Sequence, residues 1–380
     1  PVGVLTGDFN NDPHSAQSLR REDFDEIHQH RTLAETTEFL RSQKVAAVVP
    51  GHPTALEWSD LFAQSLGVPG NPVASLEARF NKRIMKEYWA EHGVPCADWF
   101  ESKDLESVLS WVAGRGFPVV LKPNRSSGSY NVFVCRSNQE VAAAFAAITT
   151  GPDVDGHRYE SALVEEYLDG DEYFMNLLHD GYGSSLISLA RCEKIERGGH
   201  LSIYRNIWSM ALDDPLAREV LPQVQAANAA LGVRVGINDT EFKMTSRGFR
   251  VIEVNNRLPG VGIPRMIQQC SGLNCYQENV RLFLGEYLRP LEQYRFARHY
   301  CICCLSNERP GRVQAYTGVD EVTKLPSFHD MSVSARVGAH CPETKDLISA
   351  WGLVFLVNED EAQLQADADA VHALMQLRVE

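Results

Sequence analysis

The stretch NDTEFKMTSRGFRVIEVNNRLPGVGIPR, Asn238 to Arg265, decides the fold. Its spacing predicts a β-hairpin. Along Thr240–Thr245 the residues alternate, so Glu241 and Lys243 share one face and Phe242 and Met244 the other. Along Phe249–Val254 the same period puts Phe249, Val251, Glu253 and Asn255 on one face. Ser246-Arg247-Gly248 is expected as a three-residue loop, with glycine where a left-handed conformation is wanted. A register centred on Arg247 pairs Thr245 with Phe249, Met244 with Arg250, and Glu241 with Glu253. Like charges directly opposite each other destabilise a sheet. A cation between them reverses the penalty. Glu241, Glu253 and the amide oxygen of Asn255 are hard oxygen donors of the kind that hold Mg²⁺, which in turn holds nucleotide phosphates. The other reading is a solvated hairpin with surface acids.

At 380 residues the chain is longer than one compact core usually holds, so two or three domains are expected. Hydrophobic residues make up 44%, enough for buried cores. The net charge of -14, from 36 basic and 50 acidic residues, argues against nucleic acid as a main partner and offers no basic patch for a membrane. No apolar run approaches the roughly 20 residues of a membrane span. No signal peptide is visible. The nine cysteines lack Cys-x-x-Cys spacing, and Cys301, Cys303 and Cys304 fall in the apolar run HYCICCL. They read as buried free thiols of a reducing, cytoplasmic protein. The twelve histidines show no paired ligand spacing.

Pro1–Gly7 reads as a strand, 32–43 as a helix, 44–49 (KVAAVV) as a buried strand and 55–66 as a helix stopped by Gly67. This alternation implies a parallel sheet. The module opens on a strand without Met, and an upstream strand and helix are expected to be missing. Ser75–His92 is expected as one helix, with Lys82 and Lys86 on a shared face, where solvation is the simpler reading. Phe117–Pro123 is a strand closed by Lys122, and Ser126, Ser127, Gly128 and Ser129 follow in a small-residue loop before Val132–Cys135. Such a loop is either a phosphate cradle, with glycine permitting close backbone approach, or an ordinary turn. Ala162–Leu168 leads to Asp169-Gly170, Glu172 and the strand Tyr173–Leu178; Ile187–Cys192 follows, with Lys194 beyond it. Pro215–Leu231 has one apolar stripe, and Ile263–Cys270 and Cys275–Gly285 read as helices. From Tyr300 onward several strands precede a closing helix, 360–377.

In this order and spacing the chain resembles the ATP-grasp superfamily over roughly Ser75 to Glu286. The resemblance implies α+β lobes holding ATP between them. It implies a Rossmann-like domain over 1–75, a helical linker and start of the ATP-grasp domain over 76–118, a small lobe over 119–185, and a C-terminal lobe over 186–380 with the metal site and an accessory α/β subdomain. Lys82, preceded by Asn81 where the family has Asp, matches the first phosphate-contacting lysine, and Lys122 the lysine of the L-K-P strand. Ser126–Ser129 match the mobile loop over the phosphates. Glu165 with the backbone of Glu166, Tyr167 and Leu168 matches the adenine hinge, and Glu172 the ribose-binding acid. Glu241, Glu253 and Asn255 match the ligands of Mg²⁺, for which Mn²⁺ can substitute. Arg257 matches the arginine at the reacting centre, and Lys194 and Arg265 are further catalytic candidates.

Within the superfamily, NNRLPGVGIPRMI resembles the N-P-R-x-x-G-G-x-I-P run of the dipeptide-forming L-amino acid ligases, with Asn256 in place of Pro and Val261 in place of one Gly. That implies an ADP-forming ligase that joins a carboxylate to an amine through an acyl phosphate. Its partners would be ATP and two small amino-acid-like substrates, in a homodimer. The alternatives are a nucleotide-binding sensor or scaffold, or a ligase of the biotin carboxylase or glycinamide ribonucleotide synthetase type. The Gln-Val-Glu-His run of the biotin carboxylases is absent.

Overall fold

The computed structural model describes residues 1–6, 20–125, 131–151, 158–197, 200–286 and 294–380. Its main body is an eight-stranded sheet, every neighbouring pair antiparallel. The strands run Gly248–Asn255, Val235–Thr245, Asp171–Asp180, Ser184–Arg197, His200–Ser209, His299–Leu305, Gly352–Asn358 and Phe328–Val333. A four-stranded antiparallel sheet, Trp99–Ser102, Ala162–Glu166, Val119–Lys122 and Phe133–Cys135, forms the small lobe. Helices Leu105–Ala113 and Asn138–Thr150 cover it through Val108, Val112, Val141, Ala144 and Ile148. Trp99–Ser102 and its helix share this lobe's core, within the stretch expected as linker and start of the ATP-grasp domain. Asp171–Asp180 belongs instead to the large sheet.

One face of the large sheet is apolar because its strands alternate. Phe242, Phe249, Val251 and Val254 pack there against helices Lys82–Glu91 and Pro215–Ala230, with Met85, Trp89, Val220 and Val224 fully buried. Burying such side chains stabilises by about 1.5–3 kcal/mol each. The indole of Trp89 donates to the Ala227 carbonyl at 3.1 Å, so the two helices are joined as well as packed. A third sheet of His340–Cys341, Gly311–Thr317 and Gln376–Val379 closes the C-terminal end with helix Glu361–Leu374. Among the described residues no helix is long and apolar enough to cross a membrane.

Several expectations change. Residues 44–49 form no strand and are largely solvent-accessible; the parallel partner of Val2–Leu5 is Glu26–Gln29. The helix expected over 75–92 is broken. Short 3₁₀ turns cover Val73–Ser75 and Glu77–Arg79, and the α-helix starts at Lys82 because the Asn81 side chain accepts from the backbone N–H groups of Arg83 and Ile84 at 3.1 and 3.3 Å. The closing helix ends at Leu374, and Gln376–Val379 turns back as a strand.

The hairpin forms with a different register near its tip. Its loop is shorter than expected, Ser246-Arg247, and Thr245 pairs with Gly248, Met244 with Phe249 and Lys243 with Arg250. A β-bulge next to Glu241 then takes up one extra residue on the other strand, Ile252, and restores Glu241 opposite Glu253. The bulge also corrects the face assignment. Phe249 and Val251 sit in the core, whereas Ile252, Glu253 and Asn255 line the opposite, open face. An uninterrupted period of two could not have separated them.

Gly170 fixes how the small lobe enters the large sheet. It has φ +80°, and a Cβ there would lie 1.9 Å from the Met244 carbonyl oxygen. Gly248 also has a positive φ, +84°, but opens onto empty space. Gly170→Ala must therefore move backbone in addition to the left-handed strain of roughly 1–3 kcal/mol that both variants carry. Thermal denaturation should show Gly170→Ala melting well below Gly248→Ala. Equal melting temperatures would contradict the close approach.

Candidate active site

The open face of the large sheet and the small lobe enclose one cleft. The small lobe contributes Val120, Lys122, Val134 and the strand end Glu165–Leu168; the large sheet contributes Glu172, Phe174, Lys194, Glu241, Glu253 and Asn255. Lys82, the first residue of its helix, and Arg257, just past the hairpin, complete it. Twelve of the residues singled out from sequence thus line a single cavity: Lys82, Lys122, Glu165, Glu166, Tyr167, Leu168, Glu172, Lys194, Glu241, Glu253, Asn255 and Arg257. Ser126, Ser127, Gly128 and Ser129 lie outside the described residues. Arg265 is not in the cleft. Its guanidinium pairs with Asp330 at 2.8 Å and lies over the Phe355 ring, 5.0 Å from its centroid, with its side chain about half exposed.

The acids and bases of the cleft are interlocked. Lys86 and Lys122 both pair with Glu165, at 3.1 and 2.8 Å, with all three side chains buried. Burial opposes ionisation of Glu165, but the two ammonium groups outweigh it and hold the carboxyl below its usual range. Lys122 is likewise raised: burial pulls it down, and Glu165 more than compensates. Lys86, which the sequence alone leaves as a solvated surface lysine, is therefore part of this arrangement. Glu166 turns outward to Arg247 at 2.7 Å and accepts from the Asp98 amide at 3.0 Å, so the hinge offers its backbone. Lys243 donates to the Leu168 carbonyl at 3.0 Å and fixes the far end of that hinge.

Glu172 accepts from Lys194 at 2.6 Å and from the Tyr204 hydroxyl at 3.0 Å. Burial of Glu172 is again outweighed, here chiefly by Lys194, and its carboxyl stays ionised below the usual range. Lys82 pairs with Glu253 at 2.8 Å. The contrast is Glu241. Burial pushes its carboxyl well above the usual range, and Glu253, Asp239 and Glu172 add to the effect. Asp239, directly opposite Asn255 in the register, is pushed up to about 6 by burial despite the opposing field of Arg257. It accepts from the Asn176 amide at 2.7 Å.

The donor set suits Mg²⁺. Glu241 faces Glu253 across the hairpin, and the Asn255 amide nitrogen lies 3.4 Å from Glu241 Oε1. Crowded carboxylates, one of them driven toward neutrality, are what a divalent cation relieves. Among the described residues no three His, Cys, Asp or Glu side chains form a preformed metal cage. Two carboxylates and an amide leave positions for phosphate oxygens and water, as Mg²⁺ usually has them.

Asp239, Lys243 and Tyr204 are additional cleft residues. The signal for the first two was available: the alternation that places Glu241 and Lys243 on one face extends back to Asp239. Tyr204 had none, because no strand is legible over residues 200–209 from the sequence alone.

Removing the Glu165 charge isolates two buried ammonium groups. Glu165→Gln should therefore destabilise the protein by about 3–5 kcal/mol at neutral pH. The folded-state value of Glu165 is depressed, so its contribution is present above the unfolded value of about 4.3 and disappears as pH falls through the folded one. Denaturant unfolding of wild type and variant should give a gap that is constant near neutrality and closes below about pH 4.3. A gap independent of pH would refute the ion-pair account.

Residues 115–265 match the family described as ATP-grasp domain, and residues 304–380 match L-amino acid ligase C-terminal domain 2. Dapdiamide A synthase of Enterobacter agglomerans is 25% identical over 333 residues, covering 86% of this chain and 78% of its own. The L-arginine-specific L-amino acid ligase of Bacillus subtilis is 21% identical over 291 residues, 75% of this chain and 68% of its own. The crystal structure of an L-amino acid ligase from Bacillus licheniformis superposes with a TM-score of 0.78 at 16% identity, covering 100% of this chain and 98% of that one. The chain therefore carries an ATP-grasp domain over residues 115–265 and, over residues 304–380, the C-terminal domain of the L-amino acid ligases.

Proposed function

We propose that this ATP-grasp carboxylate–amine ligase joins two amino acids or amino-acid-like substrates through an acyl phosphate, releasing ADP and phosphate. The observation that carries the reading is the cleft itself, where a carboxylate face that suits Mg²⁺ meets Lys82, Lys122, Lys194 and Arg257. A free carboxylate is a poor electrophile, and bringing it to a phosphate places anion against anion. Lys82 and Lys122 would take phosphate oxygens, Lys82 exchanging Glu253 for them. Glu241, Glu253 and Asn255 would hold Mg²⁺, which when bound neutralises charge on the transferring phosphoryl group. The backbone from Glu166 to Leu168 would receive the adenine, between Val120, Val134 and Phe174. Glu172, locked by Lys194 and Tyr204, would accept from the ribose hydroxyls.

Arg257 is the candidate at the reacting centre. It bonds to the Leu258 carbonyl at 2.8 Å through one terminal nitrogen, while its Nε is buried without a hydrogen-bond partner among the described residues. Its fork can hold a carboxylate bidentately and then take up the charge of the tetrahedral oxyanion. Arg257→Lys should leave ADP affinity and melting temperature nearly unchanged while ligation falls on the order of 10²–10³. A joint loss of affinity and stability would make Arg257 a structural brace instead. The substrate class is tested by a matrix of amino-acid pairs, with ADP release and product mass as readouts. Release that requires both a carboxylate donor and an amine acceptor supports the proposal. Nucleotide binding with no pair-dependent turnover would favour a sensor or scaffold.

A further inference from the structure

A second cavity, of about 500 Å³, lies away from the cleft, between the large sheet and the C-terminal strand Gln376–Val379. The two sites share strands. Tyr204 lines the cleft, and the next residue, Arg205, lines this cavity. Lys194 points into the cleft, and Arg197 on the same strand reaches the cavity. Four guanidinium groups converge here, Arg197, Arg205, Arg309 and Arg378, and Glu308 is the only carboxylate among the lining residues. On a chain of net charge -14 such a cluster is out of line with its surroundings.

The guanidiniums are only partly satisfied. Arg205 pairs loosely with Glu193 at 3.4 Å and Asp369 at 3.9 Å. Arg197 reaches Ser306 Oγ at 3.2 Å and Glu308 at 3.5 Å, while its other terminal nitrogen is buried with no hydrogen-bond partner among the described residues. Arg309 and Arg378 make no side-chain hydrogen bond or ion pair among the described residues. Buried or crowded donors without acceptors are costly, and an anion relieves both the desolvation and the mutual repulsion. The space exceeds what one inorganic ion fills and lies in the range of small-molecule sites.

We propose that this cavity binds a small polyanion, a molecule bearing two or more phosphoryl or carboxylate groups, at a site separate from the nucleotide cleft. The planar forks of Arg197, Arg205, Arg309 and Arg378 match such groups bidentately. The test is calorimetric titration of the full chain with fructose 1,6-bisphosphate and, separately, tricarballylate. The cleft is held saturated with ADP and Mg²⁺, and ionic strength is kept constant with NaCl. Saturable binding at one site per chain, with Kd of about 1 mM or tighter, is expected for at least one probe. Which probe binds tells phosphoryl from carboxylate recognition. Arg309 and Arg378 are exposed and outside the cleft, so Arg309→Gln and Arg378→Gln should keep wild-type melting temperature and ADP affinity. Each should weaken the probe about tenfold. No saturable binding of either probe, or binding unaffected in both variants, would overturn the proposal. No turnover is measured, so the outcome is independent of whether the cleft performs ligation.

Discussion

Asp239, Glu241 and Glu253 are held together on one face of a sheet whose other face packs Phe242, Phe249, Val251 and Val254 into the core, and the cleft is built around neutralising them. Their positions follow from the hairpin register and its bulge. The Phe242, Phe249, Val251 and Val254 side chains prevent the register from slipping, because a shift by one residue would exchange the core for the carboxylates. Burial leaves this charge unsolvated, and the protein's own cations compensate it only in part. Lys82 takes Glu253, Lys194 takes Glu172, and Glu241 stays driven toward its neutral form. In an interior of low dielectric, a bound cation would relieve such an imbalance.

The same logic joins the lobes. Glu165 ends a small-lobe strand, Lys122 lies on the strand beside it, and Lys86 reaches across from the helix packed beneath the large sheet. One buried carboxylate thereby fixes the hinge against two lysines from different elements. Glu172, Lys194 and Tyr204 repeat the pattern on three adjacent strands of the large sheet. Behind them two buried polar pairs brace the strand, Asn176 donating to Asp239 at 2.7 Å and Asn228 to Thr240 at 2.9 Å. Buried hydrogen bonds of this kind hold the strand that carries the functional groups.

Much of this was legible in the chain. The strand pair around Arg247 is a period-two feature that the sequence carries openly, and Lys122 stands out by its place at the end of a strand before the Ser/Gly loop, whereas Glu241 faces Glu253 as expected but through a bulge and not the symmetric register. What was hidden depended on events the period does not encode. The bulge at Ile252 put Glu253 and Val251 on opposite faces. The role of Lys86 required knowing that Glu165, from a distant strand, comes to meet it. Residues 44–49 are apolar enough for a core strand but have no partner strand to pair with among the described residues. Arg265 shares its helix with cleft residue Ile263 but, two positions on, it points elsewhere, to Asp330 and the Phe355 ring.

The central claim is that Glu241 and Glu253 form a cation site that couples to the nucleotide. It is tested by measuring ADP affinity calorimetrically with and without Mg²⁺ in wild type, Glu241→Gln and Glu253→Gln. The account requires that Mg²⁺ tighten ADP binding in wild type. It also requires that both variants lose this gain while retaining metal-free affinity, since the lysines and the hinge remain. Variants that keep the full Mg²⁺ enhancement would contradict the account.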